Sequence, residues 1–505
     1  MLRLILILAV LPLCAETPAS AAARKWREAH EGEILREFVN LLRIPNVASD
    51  RQNIQRNAGH IRSMMAQRGI AARVLETPGA PAAVFGELLT PGARETVLFY
   101  AHVDGQPVDP KEWTGSAPFE PVLRDAALDA GGKVIPFPAP GVVAKTNPEW
   151  RLYGRSTSDD KAPIVSMLAA LDALKAAGLR PTINIKFLFE GEEEAGSASL
   201  GRILEANREL VKADYWLICD GPVHQTRRPQ LYFGARGVVS LNLTVYGPRR
   251  ELHSGHYGNW APNPAMMLAR LLASMKDDAG RVLIRGWYDG LAPLSAAEKQ
   301  ALAEEPAIEA DLKRELLLAG SEGAERRLSE AITEPSLNIR GLASAAVGAG
   351  SRNVVPATAT ASIDIRLVKG ADYRALAERF IAHVRAQGYY VTDTEPDASI
   401  RLREGKVARI SVGQGYNAVR TPMDLPESRQ VIRALEAAAG PVVKLPTLGG
   451  SVPLSIIQQV VNVPMIGVPI ANHDNNQHSA NENIRLANLW YGIEAMAALF
   501  TMPAR

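Results

Sequence analysis

The chain contains very little cysteine, few aromatic residues and no excess of charge of either sign. Only 2 of its 505 residues are cysteine, and 6% are Phe, Trp or Tyr. So few thiols exclude a fold that depends on a framework of disulfides. The 56 basic and 54 acidic residues give a formal net charge of +2, so composition offers no electrostatic reason to expect nucleic acid or an anionic membrane surface as partner.

Long apolar runs are also missing, apart from one at the N-terminus. A basic start is followed by an almost wholly apolar stretch at 4–13 and by small residues at 19–23, a pattern typical of a secretory signal peptide. Crossing a bilayer takes about 20 apolar residues, so this run is too short for a permanent anchor. We therefore expect residues 1–23 to be cleaved on export to the periplasm or the medium. Cys219 then remains as the sole cysteine, and we interpret it as a buried strand residue.

What the chain does have is an alternation of helical and strand patterns, typical of an α/β fold. Its length, with 47% hydrophobic residues, suggests two or more domains. The nearly continuous apolar stretches 96–101 and 183–189 predict a mostly parallel sheet covered by helices on both faces. Polar residues follow the predicted strands, at His102, at 192–194 and at Asp220. Since ligands bind at the carboxyl ends of such strands, we expect these residues to converge.

A second pattern interrupts the first. The stretches 237–245 and 359–366 alternate apolar and polar residues, as half-buried antiparallel strands do. The apolar stretch 463–469 predicts a further strand of the first sheet, followed by a loop that carries His478. We therefore predict a discontinuous catalytic domain at 24–236 and 413–505, interrupted at 237–412 by an inserted α+β domain.

Histidines and carboxylates occur in an order that a structural scaffold does not require. Zinc accepts imidazole nitrogen and carboxylate oxygen, and two zinc ions about 3.5 to 4 Å apart need a shared carboxylate and terminal ligands. Taken alone, each motif has a plain structural explanation, such as a strand-end hydrogen bond or a charged helix N-terminus. Taken together they offer one set for two ions, in which His102 and Asp220 hold one, Glu194 and His478 hold the other, and Asp159 bridges them. Asp104 would orient His102.

These ordered motifs resemble those of the co-catalytic dinuclear zinc peptidases and deacylases. That family includes carnosine dipeptidase, aminoacylase, glutamate carboxypeptidase and succinyl-diaminopimelate desuccinylase, and the similarity is greatest to the dipeptidase branch. The motifs that carry the resemblance are Ala101-His-Val-Asp-Gly-Gln-Pro, Tyr153-Gly-Arg-Ser-Thr-Ser-Asp-Asp-Lys, Phe189-Glu-Gly-Glu-Glu-Glu-Ala-Gly-Ser, Leu252-His-Ser-Gly, Asn353-Val-Val-Pro, Gly449-Gly-Ser-Val-Pro and Gln477-His-Ser.

The resemblance implies roles for individual residues. Glu193 is expected to act as general base towards a metal-bound hydroxide, and Glu194 to be a metal ligand. The resemblance also implies a cis peptide bond between Asp159 and Asp160. The inserted domain would serve as a lid and dimerisation domain, and its His253 would help to stabilise the oxyanion, often across the dimer interface. Substrate contacts are expected from Asn353, Arg366, Gly450 and Ser451.

The expected activity is hydrolysis of a small peptide, either a dipeptide or a peptide that loses its C-terminal amino acid. The expected cofactors are two divalent ions, zinc in the first place, with manganese or cobalt as alternatives. Dipeptidases of this family commonly carry a charged pair before Gly-Gly-Ser, whereas here Thr447-Leu448 stands there. An N-acyl-amino-acid deacylase is therefore the alternative. An inactive binding module on the same fold is the alternative of another class, and loss of a ligand or of the base would favour it.

Overall fold

The computed structural model describes residues 16–139, 141–143, 145–323 and 325–503. Most of the predicted signal peptide, including the apolar run at 4–13, lies outside the described residues. The chain forms two compact units, which are described separately below. The first comprises Met1–Leu231, Pro422–Lys444 and Val460–Arg505, and the second comprises Tyr232–Thr421 and Leu445–Gln459.

The helices and strands are numbered in chain order. The helices are α1 (Pro18–Leu42), α2 (Arg51–Gln67), α3 (Lys161–Ala176), α4 (Leu200–Ala206), α5 (Arg208–Val211), α6 (Ser254–Tyr257), α7 (Pro264–Ala273), α8 (Ala296–Glu304), α9 (Glu309–Glu315), α10 (Leu328–Ala331), α11 (Tyr373–Ala386), α12 (Ala398–Arg403), α13 (Pro426–Ala439), α14 (Leu454–Val461) and α15 (Leu486–Phe500). The strands are β1 (Ala71–Leu75), β2 (Ala83–Leu88), β3 (Thr96–His102), β4 (Val122–Arg124), β5 (Val134–Ile135), β6 (Arg151–Tyr153), β7 (Asn184–Glu190), β8 (Tyr215–Ile218), β9 (Gln230–Tyr232), β10 (Gly234–Ala235), β11 (Gly237–Tyr246), β12 (Leu252–His253), β13 (Ser336–Ala343), β14 (Val354–Val355), β15 (Thr358–Leu367), β16 (Tyr390–Thr392), β17 (Val407–Val412), β18 (Val419–Arg420), β19 (Val443–Leu445), β20 (Met465–Gly467) and β21 (Asn483–Arg485).

The first unit is built on an eight-stranded sheet of order β1-β2-β7-β3-β8-β20-β9-β19. The neighbours β7, β3, β8 and β20 run parallel, whereas β1, β2 and β7 pair antiparallel at one edge. The prediction of an α/β fold with a mostly parallel sheet is confirmed. β20 pairs with β8, so the C-terminal segment does return to the first sheet, as the apolar pattern at 463–469 predicts.

Helices cover this sheet because its strands are apolar along almost their whole length. The ring of Phe500 on α15 packs edge-on against Phe99 of β3 and Phe187 of β7, at centroid distances of 5.0 and 6.2 Å. α15 also packs against α1 and α3, and α3 is buried over most of its length. A separate four-stranded sheet of order β21-β6-β4-β5 brings the C-terminal strand β21 beside β6.

The second unit contains a five-stranded sheet of order β13-β15-β11-β17-β16. β11 pairs antiparallel with β15 and β17, as the alternating patterns at 237–245 and 359–366 predict. One face of the sheet carries the apolar residues of β11 and β15 and packs against α7 and α11 to form a core of its own. The short helices α8, α9 and α10 lie between α7 and β13.

The limits of the two units differ from the domain boundaries predicted at 236 and 412. The second unit begins at Tyr232, extends to Thr421, and also includes Leu445–Gln459, which we had assigned to the catalytic domain. The reason is local pairing. The Leu448 N–H donates to the carbonyl of Gly234 at 2.8 Å, and this hydrogen bond holds Leu445–Gln459 beside β10.

The first helix overlaps the predicted signal peptide at residues 18–23. α1 begins at Pro18, with Thr17 as its N-cap and proline in the first turn, both of which favour helix initiation. Ala19 and Ala23, which we took for options at a cleavage site, are buried in this helix. Cleavage after residue 23 would remove the first turn of α1. Within the described part of the chain, no helix combines the length and the hydropathy needed to cross a membrane.

Candidate metal centre

The predicted ligands of the first unit lie at one edge of its sheet. His102 ends β3, Glu193 and Glu194 lie in a single 3-10 turn after β7, and Asp220 follows β8. These three strands are adjacent and parallel, so their carboxyl ends meet. Asp159 lies in the loop before α3, and His478 lies in the loop between β20 and β21. All five predicted metal ligands come together, although they span much of the sequence.

Asp159 lies between the two imidazoles. Its Oδ1 is 2.8 Å from Nε2 of His102, and its Oδ2 is 3.2 Å from Nε2 of His478. Glu194 Oε2 is 3.3 Å from the same nitrogen of His478, and Asp220 Oδ2 is 4.0 Å from Nε2 of His102. Asp159 thus has His102 and Asp220 on one side and His478 and Glu194 on the other. A carboxylate that bridges two metals requires this arrangement.

Burial of several carboxylates together sets the electrostatics of this centre. Burial raises the pKa of the Glu194 carboxyl to about 7 and that of Asp220 to about 6, and neighbouring carboxylates add to the effect. Burial also raises the pKa of Glu193 well above its usual range. For Asp159, burial acts in the same direction, but the hydrogen bonds with His102 and His478 outweigh it and lower the pKa.

The residues present fit a pair of divalent cations. The ligand atoms of His102, Asp159 and Glu194 lie within 4.8 Å of one another, and so do those of His102, Glu193 and Asp220. Imidazole nitrogen and carboxylate oxygen are donors that zinc and other divalent metals accept. Buried carboxylates that repel one another would be stabilised in their charged form by a nearby cation. The donor set and the charge therefore both suit metal ions.

Asp104 contacts both His102 and the turn of the two glutamates. The contact to Nδ1 of His102 is made by the backbone carbonyl of Asp104 at 3.0 Å, while its carboxylate oxygen is 3.5 Å away. The carboxylate instead accepts the backbone N–H groups of Glu193 at 3.0 Å and Glu194 at 2.9 Å. Asp104 therefore orients His102 through its main chain and fixes the turn of the two glutamates through its side chain.

Two further residues support the centre, and the sequence patterns did not predict their contacts. Gln106 donates to Glu194 Oε2 at 2.7 Å, and the only sequence signal was its position shortly after His102. Glu482 accepts five hydrogen bonds of 2.8 to 3.0 Å on one buried carboxylate. Its donors are the guanidinium of Arg155, the Ser158 hydroxyl and the backbone N–H groups of Ser156, Ser158 and Asp159. A glutamate between two asparagines gave no sign of this role.

The peptide bond between Asp159 and Asp160 is cis, which confirms that prediction. Asp160 Oδ2 accepts the backbone N–H of His102 at 3.2 Å. The loop before α3 is thus tied to the end of β3 as well as to Glu482.

The predicted substrate-binding residues lie in the second unit. His253 is exposed and sits on β12, which pairs with β14, and the N–H of the following Ser254 donates to the carbonyl of Asn353 at 2.9 Å. Nδ1 of His253 accepts the N–H of Gly255 at 3.1 Å, which leaves Nε2 to carry the proton of the neutral ring. His253 and Asn353 are therefore neighbours, and their roles remain predictions.

Arg366 and Ser451 form a second group within this unit. Nη1 of Arg366 donates to the Ser451 hydroxyl at 2.9 Å, and Nε lies 3.3 Å from the carboxylate of Asp364. The Ser451 hydroxyl donates to the carbonyl of Arg236 at 3.1 Å. Gly450 is exposed, and an added Cβ there would meet only Leu448, at 3.9 Å. The guanidinium of Arg366 is thus held in place by its neighbours.

Comparison with known proteins agrees with this centre. The sequence profile of Peptidase family M20/M25/M40 matches residues 98–502. The Cys-Gly metallodipeptidase of Saccharomyces cerevisiae is 27% identical over 444 residues, covering 86% of this chain and 85% of the relative. The human Beta-Ala-His dipeptidase is 27% identical over 436 residues, covering 84% and 78%.

Among solved structures, an M20 family metallo-carboxypeptidase from Sulfolobus solfataricus has a TM-score of 0.74 and 25% identity, covering 93% of this chain and 99% of that one. Human carnosine dipeptidase 1 shares the fold with a TM-score of 0.69 at 22% identity, covering 95% and 98%. The family profile covers most of the chain, and all five predicted metal ligands fall within it. The chain therefore belongs to Peptidase family M20/M25/M40 and is a metallopeptidase.

Proposed function

We propose that the protein is an exported dinuclear zinc dipeptidase. Hydrolysis of a peptide bond by a metal-dependent enzyme follows from the family; the number and identity of the metals, the substrate and the export are the proposal. The observation that carries it is Asp159, whose two carboxylate oxygens each face a different imidazole at 2.8 and 3.2 Å. A carboxylate placed in this way suits a pair of metals better than a single ion.

His102 and Asp220 would hold one metal, Glu194 and His478 the other, and Asp159 both. When bound, the two ions would polarise the scissile carbonyl and lower the pKa of a water molecule. The donor set does not separate zinc from manganese or cobalt. Metal analysis of the purified protein, compared with activity after reconstitution with each ion, tests this assignment.

Glu193 is the proposed general base. The carboxylate of Asp104 accepts the backbone N–H of Glu193 at 3.0 Å. This bond fixes the backbone of Glu193, and with it the origin of its side chain, beside His102 and Asp220. Burial favours the uptake of a proton by this carboxyl, since it raises the pKa. Glu193 would take a proton from the attacking water and deliver it to the leaving amine.

The second unit supplies the proposed substrate contacts. Nε2 of His253 would donate to the oxyanion of the tetrahedral intermediate. The guanidinium of Arg366, fixed by Ser451 and Asp364, offers a fork that matches the carboxylate of a C-terminal amino acid. Asn353 and Gly450 would contact the substrate nearby.

A dipeptide is the proposed substrate because two relatives that cover most of the chain are named as dipeptidases, one for Cys-Gly and the other for β-Ala-His. One observation favours the alternative, an N-acyl amino acid. Leu448 replaces a charged residue before Gly-Gly-Ser and offers an apolar, half-buried wall. Parallel assays of amino-acid release from dipeptides and N-acyl amino acids by the metal-loaded protein decide between them. Release from neither class would favour an inactive binding module.

Export and dimer formation complete the proposal. The N-terminal sequence supports cleavage and transfer to the periplasm or the medium, although α1 argues for a cleavage site before Pro18. Dimerisation through the second unit rests on the family resemblance. Mass determination of the mature N-terminus after expression in a Gram-negative host, and light scattering of the purified protein, test the two points separately.

A further inference from the structure

The second unit contains a cavity of about 420 Å³ that the proposed hydrolysis does not use. Its lining contains more basic than acidic side chains. The ionisable residues around it are Arg236, Lys276, Arg281, Arg326, Glu322 and Glu334.

Arg236 is the buried cation of this cavity. It is only 7% exposed, and it makes no ion pair with any residue in the described part of the chain. Its Nη2 donates to the carbonyl of Glu334 at 2.8 Å and to the Ser336 hydroxyl at 3.2 Å, but its Nε has no acceptor. Burial removes water from the guanidinium, and these two hydrogen bonds and the more distant carboxylate of Asp364 replace only part of its hydration. Burial, together with the charge of Arg366, lowers its pKa to about 10.

The other cations differ in how far they are neutralised. Lys276 pairs with Glu322 at 2.7 Å, and Arg326 pairs with Glu334 at 3.0 Å. Arg281 is exposed and makes no ion pair among the described residues; its guanidinium lies over the ring of Tyr288 at 4.4 Å. Two guanidinium groups around this cavity, those of Arg236 and Arg281, therefore make no ion pair within the described part of the chain.

We propose that this cavity binds a small oxyanion, the phosphate or carboxylate group of a soluble metabolite, between Arg236 and Arg281. A guanidinium binds such groups through charge-assisted hydrogen bonds. Both Arg236 and Arg281 line the cavity, and neither makes an ion pair among the described residues that would compete with the anion. Arg236 borders the predicted substrate group, since its carbonyl accepts the Ser451 hydroxyl, but the lining of the cavity includes neither Arg366 nor Ser451. The site does not depend on the proposed peptidase activity.

Isothermal titration of the full-length, metal-loaded protein with inorganic phosphate, and in parallel with succinate, tests the proposal at constant ionic strength. The titrations are repeated with Arg281→Ala, with Arg236→Met, and with Arg250→Ala as the matched control, since Arg250 is also exposed and lies outside the cavity lining. Binding of at least one anion should weaken by about tenfold or more in the two cavity variants and stay unchanged in the control. The stronger of the two ligands identifies the oxyanion.

Anion binding at the metals would give a heat that neither cavity substitution alters, and this result would overturn the proposal. So would the absence of binding of both anions to the wild type. Arg281 is exposed, so its replacement leaves the fold intact even if Arg236→Met does not fold. Basal hydrolysis should be unchanged in Arg281→Ala, and the Arg281→Ala titration alone is decisive.

Discussion

The backbone N–H of Asp159 donates to Oε1 of Glu482 at a distance of 3.0 Å. Glu482 lies in the same loop as His478, which faces the other side of Asp159 at 3.2 Å. One C-terminal loop therefore carries both a predicted imidazole ligand and the acceptor that fixes the backbone of the proposed bridging residue. The position of Asp159 depends on a residue from the far end of the chain.

Replacing Glu482 should disturb the centre without removing any predicted ligand. Glu482→Gln would replace one carboxylate oxygen by an amide NH₂ group, which is a donor. The buried N–H and O–H groups that donate to that oxygen would then lose their acceptor. We expect the bound-metal content and kcat to fall, kcat by about tenfold or more, and the free energy of unfolding to fall by about 3 kcal/mol. Elemental analysis, steady-state kinetics and denaturant titration measure the three effects.

The exposed pair of Glu205 and Arg208 provides the control for that substitution. Glu205→Gln should leave metal content and kcat as in the wild type, since exposed pairs contribute little. Full metal content and full activity in Glu482→Gln would show that the loop holds its place without the carboxylate.

Glu193→Gln should abolish turnover while both metals stay bound, because the amide cannot accept a proton from water. Glu192→Gln is the matched control: this neighbour accepts the N–H of Ser199 at 2.8 Å, and an amide oxygen can do the same. Turnover and metal content measured on the same preparations separate the roles. Activity retained in Glu193→Gln would remove it as the base.

His253→Ala should lower kcat and kcat/KM together by roughly a hundredfold or more, as loss of an oxyanion donor does. His256 serves as control, because its ring is 4.6 Å from that of His253 but no catalytic role is predicted for it. Equal rates for the two alanine variants would contradict the assignment of His253. Binding of metals should be the same in both.

His478→Ala should remove one ligand of the second metal and lower the metal content towards one ion per chain, with loss of activity. The same substitution should leave the fold intact, since the side chain of His478 is 54% exposed. Circular dichroism and elemental analysis check both statements. Two tightly bound ions in this variant would show that His478 is not a ligand.

The stability should depend on pH through Asp474. Burial alone would raise its pKa, but hydrogen bonds from Arg151 at 2.6 Å and Asn472 at 2.8 Å outweigh this and lower it, and the charges of Arg151 and Arg485 act in the same direction. A lowered carboxyl pKa stabilises the fold above the unfolded pKa of about 3.9, and this stabilisation is lost as pH falls through the folded value.

Asp474→Asn should therefore cost about 1 kcal/mol of unfolding free energy at pH 7, a value reduced for partial exposure of the carboxylate. The difference from the wild type should shrink below about pH 4. Urea titrations at pH 7 and below pH 4, on metal-free preparations of the two proteins, measure this difference in unfolding free energy. A difference that does not change with pH would assign the effect to packing instead.

The sequence by itself determined the class of fold and the identities of the candidate ligands. Apolar strands such as 96–101 and 183–189 have few alternatives to a covered parallel sheet, and the residues that follow parallel strands must meet at one edge. This argument brings His102, Glu194 and Asp220 together. Asp159 follows β6 of the other sheet, and its place in the set was inferred from the order of the motifs, as was that of His478.

Only the tertiary structure decided what supports these ligands. Folding brings together the partners of three side chains. They are the backbone N–H groups that bind Asp104, the five donors to Glu482, and the surroundings that bury Arg236 without an ion pair among the described residues. Likewise, the assignment of Leu445–Gln459 to the second unit follows from pairing with β10, which no local pattern of the segment expresses. A sequence pattern records periodicity and residue type, whereas the partner of a buried polar group is set by the packing of distant segments.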